Sequence, residues 1–315
     1  MHTRPLADLR SCDEALFGGK SASLGELIGA GIPVPPGFAL ASSAFEAAGF
    51  AARDDARAAV RAAAIPDDVR AEVSEAYAGV GDGDPPVAVR SSAIGEDSAE
   101  ATFAGQQDTY LWVRGADRVC EAVRDCWASL FNPEAISYRA RLGGDRPPAM
   151  GVTVQLMVDA KVSGVMFTCN PLTGDPSTVA INASWGLGLA VVGGEVTPDE
   201  YRVSKVTREV LRTTIGPKQV EYVPGEAGAE RSQVPAERQD VACLDEEQLR
   251  ALVEVGALVE RHFGGHQDIE WAFAGDGELF VLQSRPVTVA PPQAQPAAKS
   301  AMDLVMGTFG VGKKP

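Results

Sequence analysis

The segment 87–111, VAVRSSAIGEDSAEATFAGQQDTYL, constrains the fold and the chemistry of this chain more than any other. Three apolar strand residues precede Arg90, whose permanently charged guanidinium fork suits phosphate oxygens. The loop that follows is rich in alanine and contains Gly105, so backbone amides can approach an anion closely. The segment therefore predicts a strand that leads into a polyphosphate-binding loop. A structural salt bridge from Arg90 to Glu96 or Asp97 is the alternative.

A second candidate for phosphate binding precedes a predicted helix near the N-terminus. Lys20 lies in a Gly-Gly-Lys-Ser turn, and the helix is expected to start at about Ser21. A flexible ammonium group there can reach phosphates bound near the helix N-terminus. From this motif alone, a solvated surface lysine is an equally good interpretation.

The third candidate is a hairpin near the end of the folded part. The strands DIEWAF and ELFVLQS are joined by an AGDGE turn, and strand alternation can place Glu270, Gln283 and Arg285 on one face. A carboxylate, an amide oxygen and a guanidinium suit Mg²⁺ with a phosphate, because Mg²⁺ prefers hard oxygen ligands. A cross-strand Glu–Arg ion pair on a solvated face is the alternative.

Charge and composition restrict the partners. The net charge of −15 argues against nucleic acid or an anionic membrane as the main partner. No run of about 18 apolar residues occurs, and no apolar segment follows Met1, so we expect a cytoplasmic protein. The five cysteines are scattered without a CxxC pair, which is typical of reduced thiols with structural roles.

Periodicity and turn residues predict the remaining elements. Residues 216–240 are polar and rich in Gly, Pro and Glu, and are interpreted as an excursion. Asp245 is expected to cap a long amphipathic helix. The other helices are expected at 46–64, 67–78 and 117–131, and strands at 87–90, 109–113 and in VTVQLMV, VSGVMFT, TVAINAS and YRVSKV.

The C-terminal end differs in composition from the rest. A Pro/Ala-rich segment follows Arg285-Pro286, so we expect the folded domain to cover 1–289 and a linker and flexible tail to cover 290–315. The sequence GTFGVGKK at 307–314 resembles a phosphate-binding P-loop. It has Lys314 where Ser or Thr is required, and no helix can follow, so we do not interpret it as one.

Together these motifs resemble the N-terminal ATP-binding domain of the pyruvate phosphate dikinase and phosphoenolpyruvate synthase family, which includes the rifampin phosphotransferases. The resemblance covers roughly residues 10–288. It is carried by long blocks in the same order: GGKSASLGEL, IPVPPGFAL, VRSSAIGEDSAEATFAGQQDTYL, SGVMFTCNPLTGD, WGLGLAVVGGEVTPDEY and DIEWAFAGDGELFVLQSRPVT. Several long motifs are far more specific than a single glycine loop.

The resemblance implies an α+β ATP-grasp fold, in which two lobes with a hinge near 150–160 enclose ATP and Mg²⁺. The roles that it implies are phosphate binding by Lys20 and Arg90, a phosphate-covering loop with Gly105 and Thr109, nucleotide contact by Gln155, Mg²⁺ binding by Glu270 and Gln283, and binding of the transferring phosphate by Arg285. Such chemistry depends on positioning and charge neutralisation more than on covalent catalysis.

The sequence also departs from the family pattern. Leu189 replaces the usual acidic residue after Trp-Gly-Leu-Gly, His266 stands where proline is common, and Cys169 where a basic or small residue is common. No histidine lies in the family's phosphohistidine motif, and His262 and His266 are interpreted as structural. The resemblance therefore implies a histidine-carrier subunit or domain and an acceptor-binding subunit as partners. A fragment of a single-chain enzyme, an ATP-grasp ligase and a non-catalytic nucleotide sensor are the alternatives.

Overall fold

A computed structural model describes residues 1–49, 56–94, 109–133, 135–136, 149–226 and 228–287. Two antiparallel sheets form the cores of two lobes that face each other across a cleft. The predicted α+β fold with two lobes around a cleft is confirmed; the ATP-grasp fold stays what the resemblance implies. The predicted tail at 290–315 and the P-loop-like 307–314 lie outside the described residues.

The first lobe contains a five-stranded sheet. Its strands, in spatial order, are β1 (Thr3–Pro5), β2 (Gly37–Leu40), β5 (Met150–Leu156), β3 (Val87–Ala93) and β4 (Thr109–Val113). The helices near this sheet are α3 (Ser42–Ala47), α4 (Ala56–Ala62), α5 (Asp67–Ala78) and α6 (Ala116–Ser129). Apolar side chains of α6 at helical spacing, among them Val119, Val123 and Trp127, are fully buried in one core cluster with strand residues such as Val89.

The second lobe contains a six-stranded sheet. Its strands, in spatial order, are β13 (Leu279–Pro286), β12 (Gln267–Ala274), β6 (Ala160–Phe167), β7 (Thr178–Trp185), β8 (Asp199–Ser204) and β9 (Val210–Thr214). Helix α9 (Glu246–Phe263) covers one face and shares a core cluster with the sheet. Asp245 caps this helix as predicted, because its carboxylate accepts a hydrogen bond from the Gln248 backbone N–H at 2.8 Å.

The chain passes between the lobes at two neighbouring places. One is residues 157–159, between β5 and β6, within the range expected for the hinge. The other is the proline-rich segment 33–36. Its Pro33 carbonyl accepts from Val281 N–H of the second lobe, and its Pro36 carbonyl accepts from Leu156 N–H of the first, both at 2.8 Å.

Helix α2 (Gly19–Gly29) also links the lobes. The Ser21 hydroxyl lies 2.7 Å from the Thr153 hydroxyl in the first lobe, and the Ser23 hydroxyl donates to the Ser284 carbonyl of the second at 2.9 Å. A short helix, α1 (Glu14–Phe17), precedes it, and Gly18 separates the two helices. The apolar side of α2, with Leu24 and Leu27, lies in the core of the second lobe.

One expectation about the elements is wrong, and the structure adds detail to another. The helix expected at 46–64 is not continuous, because α3 ends at Ala47 and Gly49 adopts a positive φ of 70°, which terminates a helix. The excursion expected at 216–240 contains a hairpin of β10 (Val220–Pro224) and β11 (Ala229–Gln233), and a short helix, α8 (Ala236–Gln239). One further short helix, α7 (Leu189–Val192), lies between β7 and β8.

The same region contains a buried ion pair that periodicity does not predict. Lys218 and Asp199 are both completely buried, and the ammonium lies 2.5 Å from the carboxylate. Asp199 also accepts hydrogen bonds from the backbone N–H groups of Gly216 and Cys243 and from the Tyr201 hydroxyl. The pair therefore fixes the chain after β9 to strand β8.

Gly18 is expected to tolerate no side chain. Its φ is 82°, and a Cβ atom there would lie 2.1 Å from the Ser92 carbonyl oxygen. Gly31 also has a positive φ, 73°, but open space surrounds it. We expect Gly31→Ala to cost about 1 kcal/mol of unfolding free energy through backbone strain, and Gly18→Ala about 3 kcal/mol because of the added clash. Urea unfolding of both variants measures the difference, and equal losses would contradict the close approach of Gly18 to β3.

Candidate functional site

The predicted hairpin face carries four polar side chains in two cross-strand pairs. Glu270 of β12 is opposite Gln283 of β13, and Asp268 is opposite Arg285. Opposite residues in an antiparallel pair share a face, as do residues two apart along a strand. The structure thus places Glu270, Gln283 and Arg285 together, as alternation predicts, and adds Asp268.

Arg90 reaches this face from the other lobe. It extends from β3, and its Nη2 donates to Glu270 Oε2 at 2.7 Å while its Nη1 donates to the Leu282 carbonyl at 3.1 Å. The Arg90 side chain is 12% exposed and that of Glu270 is 24% exposed. The Arg90 Nε is buried and has no acceptor among the described residues. One N–H of a guanidinium between the lobes is thus left without an acceptor.

The cations around Glu270 keep it ionised. Burial alone would raise the pKa of Glu270, but the Arg90 guanidinium, with smaller contributions from Lys20 and Arg285, holds that pKa below its ordinary value of 4.5. Glu270 is therefore a carboxylate at neutral pH. Three positive side chains from separate parts of the sequence surround it.

Arg285 is held by Asp268, a residue that the sequence analysis missed. The Arg285 Nε donates to Asp268 Oδ2 at 2.9 Å, and Nη2 lies 2.8 Å from the same oxygen. Burial raises the pKa of Asp268, although the Arg285 guanidinium opposes that rise. The sequence pattern could have predicted this residue, because Asp268 precedes Glu270 by two positions and strand alternation puts both on one face.

The alternatives for Arg90 and Arg285 are resolved in part. Arg90 pairs with Glu270, a residue 180 positions away; Glu96 and Asp97 lie outside the described residues, as does the predicted Gly105. The cross-strand Glu–Arg ion pair expected as an alternative is Asp268 with Arg285. The Arg90 side chain is 12% exposed, whereas the Arg285 side chain is 38% exposed.

Lys20 lies at the second position of α2, and its ammonium donates to the Ser91 carbonyl at 2.8 Å. The Ser21 backbone N–H next to it donates to the Ser92 hydroxyl at 3.2 Å. These contacts attach the start of α2 to the end of β3, on the side of Arg90. Lys20 is therefore held near Glu270, whose pKa it helps to lower, and is not a freely solvated lysine. Its binding of phosphate stays a prediction.

A cavity of about 130 Å³ adjoins this cluster where β5 meets β6. Arg90 and Glu270 form its polar end, and the rest of the lining is mostly apolar. Gln155 is 2% exposed, lines the cavity, and lies 3.5 Å from the Pro35 carbonyl through its Nε2. Further lining residues include Thr109, Met157, Leu187, Leu189 and Trp271.

Two details of the cavity bear on what it can hold. Trp271 lines it, and the buried Nε1–H of that indole has no acceptor among the described residues. Leu189 also lines it, so the departure from the family's acidic residue removes a polar group from the cavity itself. A flat ring with polar edges fits such a mainly apolar cavity with few polar groups.

The donor set fits a magnesium ion shared with phosphate. Glu270 and Gln283 offer two oxygen ligands on one face, which leaves most octahedral positions to phosphate and water. Gln283 is 7% exposed, and its side chain makes no hydrogen bond within the part of the chain that the structure describes. No group of three or more His, Cys, Asp or Glu suited to a metal occurs among the described residues. A purely protein-bound metal site is therefore not supported there.

Comparisons with known proteins find a matching family and curated relatives. The family model described as the pyruvate phosphate dikinase AMP/ATP-binding domain matches residues 49–305. A probable phosphoenolpyruvate synthase of Methanothermobacter thermautotrophicus is 38% identical over 98% of this chain and 49% of its own length. The phosphoenolpyruvate synthase of Pyrococcus furiosus is 36% identical over 91% of this chain and 44% of its own length. The chain thus spans about half the length of these curated relatives.

Solved structures show weaker likeness. A dinucleotide-forming acetyl-coenzyme A synthetase of Candidatus Korarchaeum cryptofilum has 14% identity and a TM-score of 0.41, over 85% of this chain and 91% of that one. An N5-carboxyaminoimidazole ribonucleotide synthetase has 12% identity and a TM-score of 0.38, over 86% of this chain and 45% of that one. Likeness at this level adds nothing to the fold described above. Among the described residues, no helix is long and apolar enough to cross a membrane.

Proposed function

Because this chain belongs to the family of the pyruvate phosphate dikinase AMP/ATP-binding domain, we propose that it binds Mg·ATP and donates phosphate in a dikinase-type transfer. The acceptor is a histidine on a partner chain or on a further domain. In the net reaction, the β-phosphoryl group of ATP moves to the histidine, water takes the γ-phosphoryl group as orthophosphate, and AMP is released. The chain spans about half the length of its curated relatives, and in this proposal the acceptor histidine belongs to a second part.

One observation carries the proposal: cations from both lobes meet a carboxylate at the polar end of an apolar cavity. Arg90 and Glu270 join the lobes there, and Lys20 and Arg285 lie close enough to lower the pKa of Glu270. A nucleotide base would occupy the apolar part, which includes Gln155, and its phosphates would extend towards the cations. This order of apolar and cationic groups matches a nucleoside polyphosphate.

Each residue then has a defined task. Arg90 and Lys20 bind phosphate oxygens, Arg285 binds the phosphoryl group that transfers, and Asp268 orients Arg285. Glu270 and Gln283 would hold Mg²⁺, which neutralises phosphate charge when it is bound. Thr109, directly opposite Arg90 in the sheet, borders the phosphate side of the cavity. Phosphoryl transfer requires this positioning and charge neutralisation more than an attacking group from the protein.

The test uses ATP labelled at the β-phosphate and a candidate histidine-bearing partner polypeptide. We expect stable label on the partner and formation of AMP. Both should disappear in Lys20→Ala and Arg90→Ala, because each removes a cation from the phosphate end of the cavity. Arg250→Ala is a matched control, since Arg250 is exposed on α9 and pairs only with Glu246 in its own helix.

Other outcomes identify the other candidate functions. Release of ADP without AMP would contradict a dikinase and favour a ligase. Binding of ATP without turnover in any mixture would favour a nucleotide sensor, for which Leu189 in the cavity is the sequence support. Label that stays on the partner in Lys20→Ala and Arg90→Ala would contradict the assigned phosphate ligands.

A further inference from the structure

One row of cross-strand neighbours crosses the whole six-stranded sheet and ends in two arginines. The row begins at Asp268, which is opposite Arg285 in β13, and continues on its other side through β6 and β7 to β8 and β9. In spatial order its members are Arg285, Asp268, Phe167, Ala180, Arg202 and Arg212. All six side chains therefore lie on one face, the face opposite to the one that packs on α9.

Arg202 and Arg212 are direct cross-strand partners. Like charges directly opposite each other destabilise an antiparallel pair. Neither arginine forms a salt bridge within the described part of the chain, although most of the charged residues of this acidic protein are carboxylates. The pair is therefore a concentration of uncompensated positive charge on a protein whose net charge is −15.

Burial makes the arrangement harder to explain as ordinary surface charge. Arg202 is half-buried, and its Nη1 is buried without an acceptor among the described residues. Arg212 is exposed on β9, the edge strand of the sheet. The neighbour of Arg202 on its other side is Ala180, which has a small side chain. The opposing like charges would be compensated by one anion bound between the two guanidinium forks.

We propose that Arg202 and Arg212 bind a phosphate dianion at a site separate from the Arg90–Glu270 cluster. A dianion balances two cations, and its tetrahedral oxygens can accept hydrogen bonds from both guanidinium forks. A single carboxylate offers one charge and two oxygens. Three strand spacings separate Asp268 from Arg202, or about 14 Å, so one phosphate cannot contact both places.

Glu200 provides a test in which the proposal predicts stronger phosphate binding after a substitution. It lies two residues before Arg202 on the same face and is exposed. Its carboxylate makes no ion pair with either arginine in the described part of the chain, so it repels an anion bound there. Removal of this charge should therefore strengthen phosphate binding, whereas loss of either arginine should weaken it.

The experiment follows backbone amide signals of the isotope-labelled full chain by NMR during titration with inorganic phosphate at constant ionic strength. We expect saturable shifts in β8 and β9, separate from shifts near Glu270. Arg202→Gln and Arg212→Gln should each weaken the β8–β9 response at least about tenfold. Glu200→Gln should strengthen it, and Arg250→Gln should leave it unchanged.

Two further titrations define the ligand. Phenyl phosphate tests whether the phosphoryl group can be part of a larger molecule, and acetate tests the requirement for a dianion. The site is supported if phosphate or phenyl phosphate saturates the β8–β9 shifts at concentrations well below those that acetate requires. The compound that binds more tightly shows whether the ligand is free phosphate or the phosphoryl group of a larger molecule. Equal responses to acetate, or β8–β9 shifts that survive in both arginine variants, would overturn it.

Thermal unfolding shows whether a substitution weakens phosphate binding or merely destabilises the fold. Without phosphate, Arg212→Gln should melt at the same temperature as the parent or higher, because the opposing charges are gone. Phosphate should then raise the melting temperature of the parent more than that of the variant. An equal rise in both proteins would count against the site.

Discussion

Replacement of Lys218 by methionine is expected to destabilise the protein by about 3–5 kcal/mol, because it leaves the completely buried Asp199 carboxylate without its cation. Methionine fills a similar volume, so the loss reports the missing charge more than a cavity. Asp199 would keep its three other hydrogen bonds, which are too few to balance a full buried charge. Urea unfolding of the full chain measures the change.

Arg250→Met is the matched control for this variant. It also removes one partner of an ion pair, Arg250 with Glu246, but that pair is exposed on α9. We expect a loss below about 1 kcal/mol there. A comparable small loss in Lys218→Met would show that the buried pair stabilises the fold no more than a surface pair does.

Replacement of Arg90 by glutamine is expected to weaken Mg·ATP binding at least about 30-fold, which corresponds to about 2 kcal/mol. Arg90 is a predicted phosphate ligand, and it also keeps Glu270 ionised in a buried place. Without it, burial should raise the pKa of Glu270 above 4.5. Calorimetric titration with ATP and Mg²⁺ over a range of pH measures both effects.

The lowered pKa of Glu270 sets the direction in which Mg·ATP affinity changes with pH. In the parent, the lowered pKa keeps Glu270 charged until the pH falls below 4.5. In Arg90→Gln, protonation begins at higher pH, so Mg·ATP affinity should decline earlier as the solution is acidified. Arg90→Lys should retain most of the pH profile but lose the fork contacts to Glu270 and the Leu282 carbonyl.

Arg61→Gln tests whether any loss of an arginine has the same effect. Arg61 pairs with Asp125, and neither side chain lines the cavity beside Arg90 and Glu270, so its loss should leave Mg·ATP affinity unchanged. An affinity within twofold of the parent in Arg90→Gln would mean that Arg90 only ties the lobes together. The melting temperature of each variant separates that structural role from phosphate binding.

Local pattern was enough to predict the polar face of the hairpin. Alternation along two strands puts Glu270, Gln283 and Arg285 together, and the register confirms it. The partners of the arginines were not predictable in the same way. Arg90 and Glu270 are 180 positions apart, and their contact depends on how two separate lobes meet.

Composition predicted an excursion at 216–240 but not its internal structure. Glycine, proline and glutamate are common there, yet the segment contains a hairpin and a short helix, and Lys218 near its start is bonded to Asp199. Lys218 and Asp199 are 19 positions apart and bond inside the core. A lysine and an aspartate each predict surface positions individually; only their pairing makes burial favourable.

The contacts between the lobes also limit how the cleft can open. Along β5, α2 is attached at Thr153, and segment 33–36 at Gln155 and Leu156. The covalent crossing at 157–159 continues the same line. Attachments along one line define an axis, so we expect any opening of the cleft to be a rotation of one lobe about β5. In such a rotation, side chains far from β5, such as Arg212 on the edge of the sheet, would move the farthest.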